Sequence, residues 1–305
     1  MKRIALGHYM VDIENEDRLN FLGLIGDDCS YDKSRYAVLP VGYEQATTYG
    51  HGTAAGPNAI LEASQEVELY DEESASEPYT AGVHTLPALD SLTDPRTMID
   101  SVSKAVSDAI GDGKIVVTLG GEHTVSVAPV KSYAEKFPQL SVLQIDAHAD
   151  LRQEYQGSIY SHACAMRRIR EHVKTTVGVG IRNLSREEAE LVSSDRIPLL
   201  FAKDITGRDH WQDEVIEMLT DDVYVTIDLD GFDPSVIPGV GTPEPGGLGW
   251  YETLELLNRL CTMKRVVGFD VVELMPIPGS LVSQFAAAKL IYKLIGYLEA
   301  DSAQR

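Results

Sequence analysis

Two stretches of this 305-residue chain combine residue types and spacing that could do chemistry: Asp146-Ala-His148-Ala-Asp150 and Asp228-Leu-Asp230-Gly-Phe-Asp233-Pro234. Each follows an apolar, β-branched run, Leu140-Ser-Val142-Leu-Gln-Ile145 and Val223-Tyr-Val225-Thr-Ile227. In an extended chain, residues i, i+2 and i+4 share a face. Asp146, His148 and Asp150 therefore start on one side, and so do Asp228 and Asp230. Carboxylates held this close repel one another until protons or cations relieve them, and a buried carboxylate cluster is tolerated when it coordinates metal. His123, in Gly120-Gly121-Glu122-His123, brings a second imidazole. Two imidazoles and four carboxylates suit a two-metal site in which some carboxylates bridge. Such a pair, about 3.5–4 Å apart, lowers the pKa of a bridging water toward about 7 and so supplies a nucleophile for hydrolysis. Oxygen-rich ligation with some imidazole and no thiolate favours Mn²⁺, with Zn²⁺, Co²⁺ and Ni²⁺ as alternatives.

The elements that must carry these groups are short apolar runs alternating with longer helical patterns. Strands are expected at 37–41, 115–119, 141–146, 176–181, 198–201, 223–228 and 265–271. Helices are expected at 57–64, 95–110, 124–136, 162–171, 186–193, 211–219, 250–261 and 280–299. The alternation from about residue 95 onward argues an α/β fold with a parallel sheet covered on both faces. Ligands bind such sheets beyond the carboxyl ends of the strands. Both acidic clusters fall at such ends, as do Gly120-Gly121-Glu122-His123 and Asp270-Val-Val-Glu273. The whole of 1–305 reads as one domain, with residues 1–34 as an N-terminal arm or lid and 71–94 as an acidic, turn-rich excursion.

Composition narrows the function. A formal charge of −21 leaves no basic stripe to meet phosphate, which excludes most nucleic-acid roles. It favours a cationic substrate by long-range attraction. No apolar run reaches the roughly 18 residues of a membrane span, and His8 and Asp12 interrupt what would be a leader. Cys29, Cys164 and Cys261 form neither a disulfide framework nor a CxxC zinc pattern, which fits a reducing cytoplasm.

The blocks GGEH at 120–123, DAHAD at 146–150 and TIDLDGFDP at 226–234 resemble the signature blocks of the ureohydrolase family, which contains arginase and agmatinase. The similarity extends to Tyr49-Gly-His-Gly-Thr-Ala-Ala-Gly-Pro57 and Val271-Val-Glu-Leu-Met-Pro276. The resemblance implies a three-layer α/β/α domain with a mainly parallel sheet, two Mn²⁺ per chain and a homo-trimer or homo-hexamer. It implies His123, Asp146, His148, Asp150, Asp228 and Asp230 as metal ligands. It also implies His162 as a proton shuttle and Glu273 as the carboxylate that receives a guanidinium. Asp150 counts both among the ligands and, with His162 and Glu273, among the catalytic residues. Asp233 falls on a supporting aspartate, and Thr226 stands where the family often has Ser. His51 reads as a solvated loop histidine, and Cys164 as packing.

Asp150-Leu-Arg-Gln-Glu-Tyr-Gln-Gly157 and Gly180-Ile-Arg-Asn-Leu-Ser185 lack the look of an α-amino-acid clamp. The first, followed by Tyr160-Ser-His-Ala163, resembles agmatinases. The expected reaction is therefore agmatine to putrescine and urea. Alternatives are a ureohydrolase of aminopropyl-agmatine, guanidinobutyrate or guanidine, a non-catalytic guanidine-binding homologue, and a two-metal hydrolase of another bond.

Overall fold

The β-branched runs of the chain become the strands of one parallel sheet, whose central members are buried along almost their full length. Such continuous burial is what helices on both faces impose on a parallel sheet. The computed structural model describes residues 3–6, 9–12, 19–90 and 92–302. Strands β1 (Arg3–Leu6) and β2 (Tyr9–Asp12) pair with each other, antiparallel. The main sheet holds β3 (Tyr36–Val41), β4 (Val83–Thr85), β5 (Ile115–Gly120), β6 (Ser141–Ile145), β7 (Thr175–Ile181), β8 (Leu199–Phe201), β9 (Asp222–Asp228) and β10 (Arg265–Val272). Their order is β4-β3-β5-β10-β9-β6-β7-β8, and every pairing is parallel.

Register decides where the chemistry goes. Val271 lies opposite both Leu119 and Ile227, and Ile227 lies opposite Ile145. The four central strands therefore end at one level, and the residues that follow them leave the sheet side by side.

The helices are α1 (Gly56–Ser64), α2 (Pro95–Gly111), α3 (Val127–Lys136), α4 (Ala165–Ile169), α5 (Arg186–Asp195), α6 (Ala202–Ile205), α7 (Trp211–Glu217), α8 (Trp250–Met263) and α9 (Val282–Ser302). Alternate strand residues feed two cores. Val117, Leu143, Val225 and Phe269 pack with α1, α7, α8 and α9. Val116, Val142, Tyr224 and Val267 pack with α2, α3, α4 and α5. This is the three-layer α/β/α arrangement. No described helix is long and apolar enough to cross a membrane.

The structure departs from the sequence expectation at several elements, β1, β2, β4 and α6 among them. Strand β4 was not expected, because three residues inside an acidic excursion carry no usable period. The segment expected as an arm, 1–34, lies outside the described residues at 1–2, 7–8 and 13–18, but from Leu19 onward it belongs to the body. Phe21 is fully buried, its N–H donates to Thr85 Oγ1 at 2.9 Å, and the N–H of Leu22 donates to Ser64 Oγ at 2.9 Å. Phe21, Leu22 and Leu24 anchor this stretch without any helical or strand period.

Helix α9 is tied to the excursion by a buried ion pair. Lys293 Nζ lies 2.8 Å from Asp71 Oδ2, and both side chains are 1% exposed. Burial opposes ionisation, but the hydrogen bond from Lys293 holds the Asp71 carboxyl below its ordinary value. Lys293→Met strands the carboxylate and should cost about 3–5 kcal/mol in urea unfolding at neutral pH. A carboxyl with a depressed folded-state pKa contributes stability above its unfolded pKa of about 4 and loses it as the pH falls through the folded value. The gap between wild type and variant should therefore narrow below about pH 4. An unchanged gap there would remove Asp71 as the partner that matters.

Candidate metal centre

Four strand ends bring the site together. A Cβ on Gly121 would collide with the Tyr43 carbonyl, so only glycine lets the chain pass there to His123. Asp146 follows β6 directly. The chain then leaves the extended form, and Asp150 turns with φ 52°. Asp228 ends β9, and its Oδ1 accepts the N–H of Asp230 at 2.9 Å, which closes the turn that presents Asp230. Glu273 follows β10 with φ 64°. A left-handed backbone at non-glycine residues costs about 1–3 kcal/mol and gathers at functional sites.

Around His123 the geometry is that of a cation site. Its Nδ1 lies 3.1 Å from Asp146 Oδ2, 3.1 Å from Asp150 Oδ2 and 3.3 Å from Asp228 Oδ2. It is fully buried and yet makes no hydrogen bond of good geometry. His148 Nδ1 lies 2.9 Å from Asp230 Oδ2 and 3.7 Å from Asp146 Oδ1. Asp146 thus turns one oxygen to each imidazole and stands between two clusters, His123–Asp146–Asp228 and Asp146–His148–Asp230. An orphaned buried nitrogen facing three carboxylates fits a metal, and the all-nitrogen-and-oxygen donor set fits a hard or borderline dication. All six ligands expected from the sequence come together here. An extended chain would keep Asp146, His148 and Asp150 on one face; because the backbone turns after Asp146, Asp150 instead joins the His123 side and His148 turns to Asp230.

Electrostatics agrees. Burial, then the charge of Asp146, raises the Asp150 carboxyl to about 7. Burial, then Asp230 and Asp146, lifts Asp228 well above the carboxylate range. Burial alone would depress His148, but Asp230 and Asp146 push it up to about 12. Carboxylates and imidazoles crowded this closely share protons, which a dication would displace.

Supporting contacts fix the loops. Ala147 N–H donates to Asp230 Oδ1 at 3.0 Å, Thr242 Oγ1 to Asp230 Oδ2 at 3.1 Å, and Gln144 Nε2 to Asp146 Oδ2 at 2.8 Å. The Arg182 guanidinium donates to the carbonyls of Asp230 at 2.6 Å, Glu244 at 2.7 Å and Gly231 and Phe232 at 3.2 Å each. It thereby clamps the whole turn after β9. Asp233 accepts from Ser235, Gly246 and Gly247, and these hydrogen bonds lower it to about 2.

The cleft beside the clusters is lined by Thr48, His148, Asp150, His162, Asn183 and Thr242, among others. His162 Nδ1 lies 3.8 Å from Glu273 Oε1, which also accepts the N–H of His123 at 2.8 Å. His162 Nε2 lies 3.4 Å from Thr48 Oγ1. Burial, then the positive charge of His148 and His123, lowers His162 to about 4. Its ring is therefore neutral at pH 7 as long as His148 and His123 carry charge. Thr48 was not foreseen, and neither was Glu122, whose Oε2 accepts from the N–H groups of Gln45 and Ala46 at 2.7 Å each and pins the loop carrying Thr48. Glu122 sits inside the GGEH block, which was the one available signal. His51 is exposed and Cys164 is buried in packing. His8 lies outside the described residues.

The ends of the central parallel strands thus carry two adjoining imidazole–carboxylate clusters that could hold metal ions. A sequence model of the arginase family matches residues 34–296, and the chain belongs to that family. Among curated relatives, the N(1)-aminopropylagmatine ureohydrolase of Synechocystis sp. is 44% identical over 276 residues, which span 88% of this chain and 90% of the relative. The agmatinase of Pyrococcus horikoshii is 34% identical over 86% of this chain and 91% of its own length. Among solved structures, the agmatine ureohydrolase of Thermoplasma volcanium superposes with a TM-score of 0.86 at 30% identity, covering 94% of this chain and 97% of that one.

Proposed function

We propose that this chain is a two-metal ureohydrolase that converts agmatine to putrescine and urea, with Mn²⁺ as its metal. The observation that carries the proposal is the single carboxylate, Asp146, shared by two imidazole–carboxylate clusters beside the His162–Glu273 pair. On this reading His123, Asp146, Asp150 and Asp228 would hold one ion, and Asp146, His148 and Asp230 the other. Bound, the two ions would lower the pKa of a water and polarise the guanidino carbon.

The chain's own residues do the rest. A guanidinium is planar and offers paired N–H donors, so the Glu273 carboxylate can hold it through charge-assisted bonds. The His123 N–H on Oε1 fixes the orientation of that carboxylate. The departing amine leaves badly unless protonated. A neutral His162 can take up a proton and pass it on, because the ring lies between Thr48 and Glu273. His162→Ala should keep both ions and lower kcat by about 10²–10⁴-fold. An unchanged kcat across pH would remove this role.

Agmatine is a dication without a carboxylate, which suits a chain of charge −21. N1-aminopropylagmatine is the second reading, favoured by the 44% identity to a relative so named. We further propose a cytoplasmic homo-trimer or homo-hexamer. The test is urea release by Mn²⁺-loaded enzyme from agmatine, N1-aminopropylagmatine, guanidinobutyrate, guanidine and arginine. The highest kcat/KM on agmatine supports the first reading, and the highest on its aminopropyl derivative selects the second. Arginine as the best substrate would contradict both. No urea from any of them would leave a guanidine-binding homologue.

A further inference from the structure

Behind His123 a line of hydroxyls leads to a carboxylate that the reaction does not touch. Thr226 on β9 and Asp270 on β10 are paired in register. Thr226 Oγ1 donates to Asp270 Oδ1 at 2.7 Å, Ser126 Oγ donates to the same oxygen at 3.0 Å, and the Tyr224 hydroxyl donates to Oδ2 at 2.8 Å. His123 Nε2 stands 3.0 Å from Thr226 Oγ1. All five side chains are completely buried.

Burial opposes ionisation of Asp270, and His123 with the three hydroxyl donors favours it. The ionised carboxylate only accepts, so it claims the hydroxyl protons of Thr226, Ser126 and Tyr224, with Oδ1 at 2.7 Å a nearer acceptor for Thr226 than Ser126 Oγ at 3.2 Å. Thr226 then has only lone pairs left for His123, and the imidazole must carry its proton on Nε2. A neutral ring with its proton there presents a bare lone pair at Nδ1, the atom that faces Asp146, Asp150 and Asp228. Among the described residues, no ammonium or guanidinium pairs with Asp270. A buried carboxylate with hydroxyl partners alone is costly. A neutral residue would fill the same space more cheaply if packing were all that mattered.

We propose that Asp270 is a positioning residue of the metal centre, which acts through Thr226 Oγ1 to fix the tautomer and ring orientation of His123 and to strengthen Nδ1 as a donor. This rests on the reading of His123 as a ligand. It also gives the hydroxyl at position 226 a function that either Thr or Ser can perform. In Asp270→Asn the amide can donate to Thr226, which turns the hydroxyl proton toward Nε2 and favours the wrong tautomer. Thr226→Val keeps the shape and removes the relay.

The experiment is Mn²⁺ titration of metal-free wild type, Asp270→Asn, Thr226→Val and Thr226→Ser against a competing chelator. Melting temperatures establish that each variant is folded, and anomalous diffraction at limiting Mn²⁺ reports which position empties. The expected result is one ion weakened about 10–100-fold in Asp270→Asn and Thr226→Val. The lost occupancy should lie on the His123 side, and Thr226→Ser should bind both ions as wild type does. Should Asp270→Asn fail to fold, Thr226→Val against Thr226→Ser carries the same comparison. Wild-type affinity for both ions in the folded variants, or equal weakening of both, would overturn the relay while leaving the two-metal reading intact. Failure of wild type itself to bind a pair would overturn both.

Discussion

Asp146→Ala will lose tight binding at both cation positions and all measurable urea release. The reason is geometric: Asp146 Oδ2 faces His123 Nδ1 at 3.1 Å while Oδ1 faces His148 Nδ1 at 3.7 Å. Removal of the side chain takes an oxygen from each cluster at once. Removing only a supporting contact to a ligand already costs about 10–100-fold in affinity, so loss of a shared ligand should exceed that at each position. Asp230→Ala makes the contrast. It touches only the His148 cluster and should keep one ion per chain while nearly abolishing turnover. Metal content after desalting, read beside urea release, checks both variants. Two tightly held ions in Asp146→Ala would show that the carboxylate is not shared.

Glu273→Gln should leave metal content unchanged and cut kcat/KM for agmatine by about 10²–10⁴-fold, the equivalent of two charge-assisted hydrogen bonds at about 1.5–3 kcal/mol each. Glutamine keeps an oxygen to accept the His123 N–H, so the loop that carries the ligand should hold its shape. What it loses is the negative charge opposite a cationic group. Burial raises Glu273 well above its usual range, so its ionised form must be stabilised by cations at the site. Steady-state kinetics with a parallel metal assay separates the outcomes. A kcat/KM within about threefold of wild type, with both ions bound, would remove Glu273 as the guanidinium partner; the expected loss rests on charge-assisted bonding.

Much of this architecture was legible because strand ends and motifs coincide in the chain. Ile145 before Asp146 and Ile227 before Asp228 end buried β-branched runs, so the acidic clusters could be placed at carboxyl ends before any pairing was known. What stayed hidden depends on register or on loops. Thr226 and Asp270 lie 44 residues apart and meet only because β9 and β10 pair with these two opposed. Arg182 carries no role in the sequence, whereas its guanidinium clamps carbonyls 48 to 62 residues further along. The helix expected over 162–171 splits into a turn at His162–Cys164 and the short α4, a break that sets His162 at the cleft. Thr48 reaches the site from a loop with no period at all.

The proposed chemistry requires two neighbouring cations at the ends of β5, β6 and β9. The most direct measurement is diffraction from crystals grown with Mn²⁺, recorded at the manganese absorption edge. Two anomalous peaks about 3.5–4 Å apart are expected, one among His123, Asp146, Asp150 and Asp228, the other among Asp146, His148 and Asp230. A single peak, peaks elsewhere on the molecule, or none at saturating Mn²⁺ would contradict it.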